Sequence, residues 1–63
     1  GADAGERFFA HEALTRAHHA AGDASRARAS RACMAELQAT IDTSLADYAR
    51  EVSSKVDALL TAG

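Results

Sequence analysis

The stretch from Met34 to Leu60 carries the strongest pattern in this chain, because its large apolar residues recur at gaps of mostly three and four. Such gaps place side chains on one face of an α-helix. At 100° per residue, all of these residues except Leu60 fall within an arc of about 100°. This stripe, called the seam below, consists of Met34, Leu37, Ile41, Leu45, Tyr48, Val52, Val56, Leu59 and Leu60. A seam this narrow predicts a helix that packs against a partner helix.

Composition favours helices throughout the chain. The 63 residues include 17 Ala and no Pro, and few of them are β-branched. We therefore predict an all-α protein with no strand. A chain of this size has a marginal core unless disulfides, metal or oligomerisation support it, and the lone Cys33 cannot form an intrachain disulfide. A monomer is expected to have little to bury.

Charge and hydropathy argue against several classes of function. The net charge of −2 and the pI near 5.8 do not favour nucleic-acid binding. No apolar run approaches the length of a membrane span, and no signal peptide precedes the seam. With a single thiol, the chain is expected in the cytoplasm. Residues 1–5 are predicted to be disordered or derived from a tag, and residues 6–61 to form one coiled-coil oligomerisation domain cut from a larger protein.

Gly22-Asp23 leaves two architectures open. Glycine ends helices and Asp caps the next one, which predicts a helical hairpin with arms of about 17 and 38 residues. However, the heptad register of the seam runs back across Gly22 and places alanine at every predicted core position. These positions are Ala10, Ala13, Ala17, Ala20, Ala24 and Ala27. We therefore favour a single helix of some 55 residues, roughly 80 Å long, which must be part of a coiled coil.

The identity of the core residues and the charge pattern predict how such helices associate. Leu45 and Leu59 occupy a positions and Ile41 a d position, which favours tetramers over parallel dimers. Residues 24–32 contain three Arg and no acid, whereas residues 36–57 contain five acids against Arg50 and Lys55. Antiparallel neighbours bring these opposite charges together. The expected assembly is an antiparallel four-helix bundle, a homotetramer in preference to a dimer.

Three polar residues, Arg31, Gln38 and Lys55, interrupt the predicted seam. They either extend their charged or polar ends to water at the bundle margin or fix the register and oligomer number of the assembly. Phe8 and Phe9 fall outside the predicted core, where they cap a bundle end or contact another part of the parent protein.

The sequence contains no recognisable catalytic, cofactor or metal constellation. His11 and His18 share a helix face, but HExxH and ExxH patterns are absent. We expect His11, His18 and His19 to face solvent, and Cys33 to be a passive small residue beside the seam. An enzyme is therefore not expected.

Two segments, residues 7–12 and 31–36, have the spacing Arg-x-x-x-x-Glu. This spacing resembles the short oligomerisation motif in the C-terminal coiled coils of coronins, which are actin-binding β-propeller proteins. The resemblance covers six residues at a time, and Ala32 and Ala35 replace larger apolar residues of the motif. It implies a tail that oligomerises an actin-binding, cytoskeletal head.

Two functions follow as hypotheses. The first is a non-enzymatic homo-oligomerisation module, assembled through the seam and the six alanines, that multimerises a parent protein and raises its avidity. The alternative is a helical hairpin of the adaptor or trafficking kind that presents Phe8 and Phe9 to a partner protein.

Overall fold

Three α-helices make up the computed structural model, which describes residues 3–62. Helix α1 spans Ala4–Ala20, α2 spans Ala24–Gln38 and α3 spans Thr43–Ala62. The all-α prediction is confirmed, and residues 3–62 contain no strand. The longest dimension of the molecule is 32 Å, so a helix of roughly 80 Å is not what this chain forms.

The start of α1 lies earlier than the predicted domain boundary at residue 6. The carboxylate of Asp3 accepts a hydrogen bond from the Glu6 amide at 2.8 Å and caps the helix. Glu6 then adds negative charge to the first turn, while His18 and His19 occupy the last turn. Both placements suit the helix dipole. Gly1 and Ala2 lie outside the described residues. The prediction that residues 1–5 are disordered or derived from a tag therefore falls outside them at these two positions.

The prediction of one continuous helix across Gly22 is wrong, because this segment combines a helix stop with a helix start. The amides of Gly22 and Asp23 donate to the carbonyls of His19 and His18 at 3.0 and 2.8 Å, the two bonds of a Schellman motif. Gly22 has a φ of +79°, which an L side chain rarely adopts. Asp23 then caps α2 by accepting from the Arg26 amide at 3.0 Å. The hairpin alternative correctly placed this turn, and its first arm has the expected 17 residues.

A second break, at residues 39–42, was not predicted by either architecture. The Thr40 hydroxyl donates to the carbonyl of Leu37 at 2.9 Å, which satisfies an acceptor at the end of α2. The carboxylate of Asp42 accepts from the Ser44 amide at 3.0 Å and from its hydroxyl at 3.2 Å. Short polar side chains of this kind compete with the helical hydrogen bonds. The seam is therefore shared between α2 and α3, which fold back on each other.

The core lies where α3 crosses the α1–α2 hairpin. Its fully covered or nearly covered members come from all three helices and are Phe8, Met34, Ala49, Val52 and Val56. Phe9, Leu37, Ile41 and Leu60 pack against this cluster while staying partly exposed. The expectation that Phe8 lies outside the core is wrong. Once the chain turns at Gly22, the face of α1 that carries Phe8 meets α2 and α3 rather than solvent.

The chain covers this core without a second copy. Its accessible surface is 4074 Å², and a folded monomer of 6.6 kDa is expected to expose about 3,900 Å². The radius of gyration of 11.2 Å is close to the roughly 10.6 Å expected for this length. The expectation that a monomer has little to bury is therefore too pessimistic for this arrangement of helices.

Polar contacts hold α3 to α2 at two points. Arg31 binds Asp57 through two hydrogen bonds, from Nε to Oδ1 at 2.7 Å and from Nη2 to Oδ2 at 3.0 Å. The buried Ser53 hydroxyl donates to Gln38 Oε1 at 2.7 Å. Two residues that interrupt the seam thus fix the register of neighbouring helices inside one chain. The third is Lys55, whose Nζ lies 3.7 Å from Oε1 of Glu51. Both residues belong to an exposed face of α3.

Candidate interaction surfaces

The residues predicted to form an oligomer interface separate into covered and exposed groups. The covered or nearly covered ones are Met34, Val52, Val56 and Ala27. Leu37, Ile41 and Leu59 are half-buried. The exposed ones are Leu45, Tyr48, Ala10, Ala13, Ala17, Ala20 and Ala24. Covered side chains already have their partners within the chain, so the surface of this fold presents the exposed group and the uncovered parts of the half-buried residues.

An apolar surface remains where the N-terminal halves of α1 and α3 lie side by side. We call Phe9, Leu45 and Tyr48 the α1–α3 patch. The rings of Phe9 and Tyr48 are 5.7 Å apart between centroids and tilted by 42°. A methyl group added at Gly5 would lie 3.5 Å from Leu45 Cδ1, which shows how closely the two helices approach. Leu45 is 39% exposed and Tyr48 56%. Exposed apolar side chains that adjoin one another are typical of interaction sites.

The outward face of α1 consists mainly of small residues. Ala10, Ala13, Ala17 and Ala20 are exposed there, and the one large apolar side chain nearby is Leu14, which is 45% exposed. The six alanines that share the seam's register therefore do not form a common core. Five of them face solvent in the described structure, and Ala27 alone is buried.

A wide groove runs along α2, and none of its lining residues belongs to the α1–α3 patch. We call it the Arg28 groove. It is lined among others by His19 at the end of α1, by Arg28, Ala32 and Ala35 on α2, and by Asp57 and Leu60 on α3. Its volume is about 980 Å³, and it is open to solvent. On α2 the lining extends from Ala24 to Ala35, and the C-terminal ends of α1 and α3 supply the rest of it.

The electrostatics of the Arg28 groove are dominated by arginine. Hydrogen bonds from the Arg31 guanidinium are the main cause that lowers the pKa of Asp57 below its ordinary value of 3.8; burial opposes the shift, and the charge of Arg31 adds to it. Asp57 thereby offsets the charge of Arg31. Arg28, in contrast, is exposed and forms no ion pair among residues 3–62.

The groups that commonly hold metals are scattered. His11, His18 and His19 are half-buried, which differs from the expectation that they face solvent fully, and Cys33 is half-buried as a free thiol. Within the described part of the chain, no three His, Cys, Asp or Glu side chains converge on a common point. The same residues include no helix that combines the length and apolar character needed to cross a membrane.

Comparison of the chain with protein-family models, with curated proteins and with solved structures found no match. The resemblance of residues 7–12 and 31–36 to the coronin motif thus stays a prediction. In the structure, Arg31 donates to Asp57 of α3. The α1–α3 patch and the Arg28 groove are therefore the features of the structure that bear on function.

Proposed function

We propose that this chain is a non-enzymatic self-association module, and that the α1–α3 patch is the surface through which two copies meet. The observation that carries the proposal is the exposure of Leu45 and Tyr48, 39% and 56% respectively. Both belong to the seam that the sequence marks for helix packing, and the same chain covers them only in part, through Gly5 and Phe9 of α1. The rest of the large seam residues are buried or half-buried.

The proposed assembly is a pair of chains related by a two-fold axis through the α1–α3 patch. Such an axis places the same surface of each copy against the other, so that Leu45 and Tyr48 of one copy meet Phe9 and Tyr48 of the second. Helices α1 and α3 of both chains then form a four-helix arrangement, with the two α3 helices antiparallel. This revises the predicted bundle of four long helices to a bundle built from two folded chains, and a homotetramer would be a pair of such dimers.

The advantage of self-association is avidity. A parent protein with two or four copies of its binding domain holds a repeated or polymeric ligand far more tightly than one copy does, without any new contact. We propose a cytoplasmic parent, and the coronin-like spacing of residues 7–12 and 31–36 suggests that its ligand belongs to the actin cytoskeleton.

The experiment is sedimentation velocity of the whole chain over a range of concentrations, with matched variants. We expect the wild type to sediment as a dimer or larger species at high concentration. The double variant Leu45→Ser, Tyr48→Ser should sediment as a monomer while circular dichroism shows unchanged helix content, because neither residue is buried in the core. Leu14→Ser serves as the control, since Leu14 is 45% exposed but lies outside the patch, and it should associate like the wild type. A monomeric wild type at all concentrations, or equal effects of both variants, would contradict the proposal.

A further inference from the structure

The Arg28 groove differs in chemistry from the α1–α3 patch, and its residue on α1, His19, lies ten positions or about 15 Å along the helix from Phe9. We propose that the Arg28 groove binds an acidic amphipathic helix of a partner protein. This inference does not depend on self-association, because the two surfaces share no residue.

Charge supports an acidic partner. Arg28 and Arg31 line the groove against a single acid, Asp57, although the chain as a whole carries a net charge of −2. Arg28 has no ion-pair partner among the described residues, and Arg31 points its guanidinium to the groove wall at Asp57. A carboxylate that reaches Arg28 gains a charge-assisted hydrogen bond at little desolvation cost. Complementary charge of this kind sets orientation and association rate.

The shape of the groove suits a helix. Arg28, Ala32 and Ala35 occupy one face of α2 at spacings of four and three residues. The two alanines leave room for another backbone to approach, and Leu60 supplies an apolar wall on α3. A helix with its side chains is about 10 Å across and rises 1.5 Å per residue, so two turns occupy roughly 850 Å³. The groove volume of about 980 Å³ accommodates such a segment, in the manner of an amphipathic helix laid in a groove.

A second copy of this chain is a poorer occupant, because every acid of α3 and one of the two acids of α1 contact a base of the same chain. Glu12 contacts Arg16 at 2.9 Å, Asp47 contacts Arg50 at 3.3 Å and Glu51 contacts Lys55 at 3.7 Å. These pairs would have to separate before a copy of α1 or α3 offered an acidic face. The geometry therefore points to a helix from another protein whose acids are unpaired.

Nuclear magnetic resonance titration of the full chain with synthetic helices tests the proposal. The probe is a peptide of about 18 residues, or five turns, with leucines on one face and glutamates beside them. Two matched peptides replace every glutamate by lysine or every leucine by glutamine. We expect the first peptide to shift the amide signals of residues 28, 32, 35 and 60, and both others to bind at least about tenfold more weakly.

Variants of the chain make the same experiment specific for the groove. Arg28→Glu should weaken binding of the acidic peptide about tenfold or more and improve binding of the lysine peptide, since Arg28 is exposed and its replacement leaves the fold intact. Arg26→Glu is the control, because Arg26 lies on the same helix but outside the groove, 3.5 Å from Asp23. Equal binding of all three peptides, equal effects of both variants, or shifts confined to the α1–α3 patch would overturn the proposal. So would groove signals that move with the concentration of the chain alone, which would identify a second copy as the occupant.

Discussion

The two halves of α3 carry the same apolar pattern but have opposite surroundings. Val56 in the C-terminal half and Val52 at its border are covered by α1 and α2, and Ser53 and Asp57 bind side chains of α2. In the N-terminal half, Leu45 and Tyr48 remain on the surface. A regular seam thus marks a helix face, whereas the docking of the other helices decides which part of that face the chain covers. The uncovered half is then available to another molecule.

The largest loss of stability is expected from a charge placed in the covered half of α3. Val56→Asp places a carboxylate at a position with no exposure, among apolar side chains that offer it no partner. The cost is several kcal/mol, comparable to the whole stability of a domain this small. We expect loss of cooperative thermal unfolding and of most helical circular dichroism.

Leu45→Asp is the matched change in the N-terminal half. Leu45 is partly exposed and lies in the first turn of α3, where negative charge suits the helix dipole. The expected loss in free energy of unfolding is below about 1 kcal/mol, measured by urea denaturation at a concentration where the chain is monomeric. If Leu45→Asp were as damaging as Val56→Asp, the N-terminal half would contribute to the core as much as the C-terminal half, and the comparison would fail.

Sequence reasoning predicts the helical class of this chain because alanine content and apolar periodicity are local properties. The sequence also contains both signals of the first turn, Gly22 and the capping Asp23. The favoured reading nevertheless continued the helix, since six alanines kept the phase of the seam across Gly22. That phase had no bearing on packing, as five of the six alanines face solvent. The local chemistry of the turn, a Schellman motif followed by an N-cap, outweighs a periodic pattern of small residues.

Neither the second turn, at residues 39–42, nor the two surfaces are predicted from the sequence, and the reasons differ. Thr40, Asp42 and Ser44 carry a local signal, a cluster of side chains that bind backbone groups, but the uninterrupted seam concealed it. The Arg28 groove draws residues from the ends of all three helices. Its one visible sign in the sequence is the block of residues 24–35 with arginines and no acid. The partners of that block, such as Asp57, depend on how α3 docks.

An effect smaller than that of Val56→Asp is expected at two adjacent residues of α3. Ser53→Ala removes the hydroxyl that donates to Gln38 Oε1 at 2.7 Å in a partly buried site, which leaves the Gln38 carbonyl without its partner. Ser54→Ala is the control, because Ser54 is exposed and alanine is the better helix former. We expect urea denaturation to show Ser53→Ala about 1–2 kcal/mol less stable than Ser54→Ala. Equal stabilities would mean that the bond between α2 and α3 adds nothing to the free energy of unfolding.

The smallest expected effect depends on pH. Arg31 lowers the pKa of Asp57 in the folded chain below the ordinary value of 3.8, mainly by hydrogen bonding. A carboxyl whose folded-state pKa is lowered adds stability above its ordinary pKa, and this stability is lost as the pH falls below that value. Asp57→Asn should therefore lower the stability near pH 7 by less than about 1 kcal/mol, because the Asp57 side chain is 55% exposed to screening by water. The variant and the wild type should converge near pH 2. Asp47→Asn is the control from the N-terminal half, since the side chain of Asp47 is 95% exposed and reaches only Arg50 of its own helix. A difference between wild type and Asp57→Asn that stays constant from pH 7 to pH 2 would show that the ion pair does not hold α3 to α2.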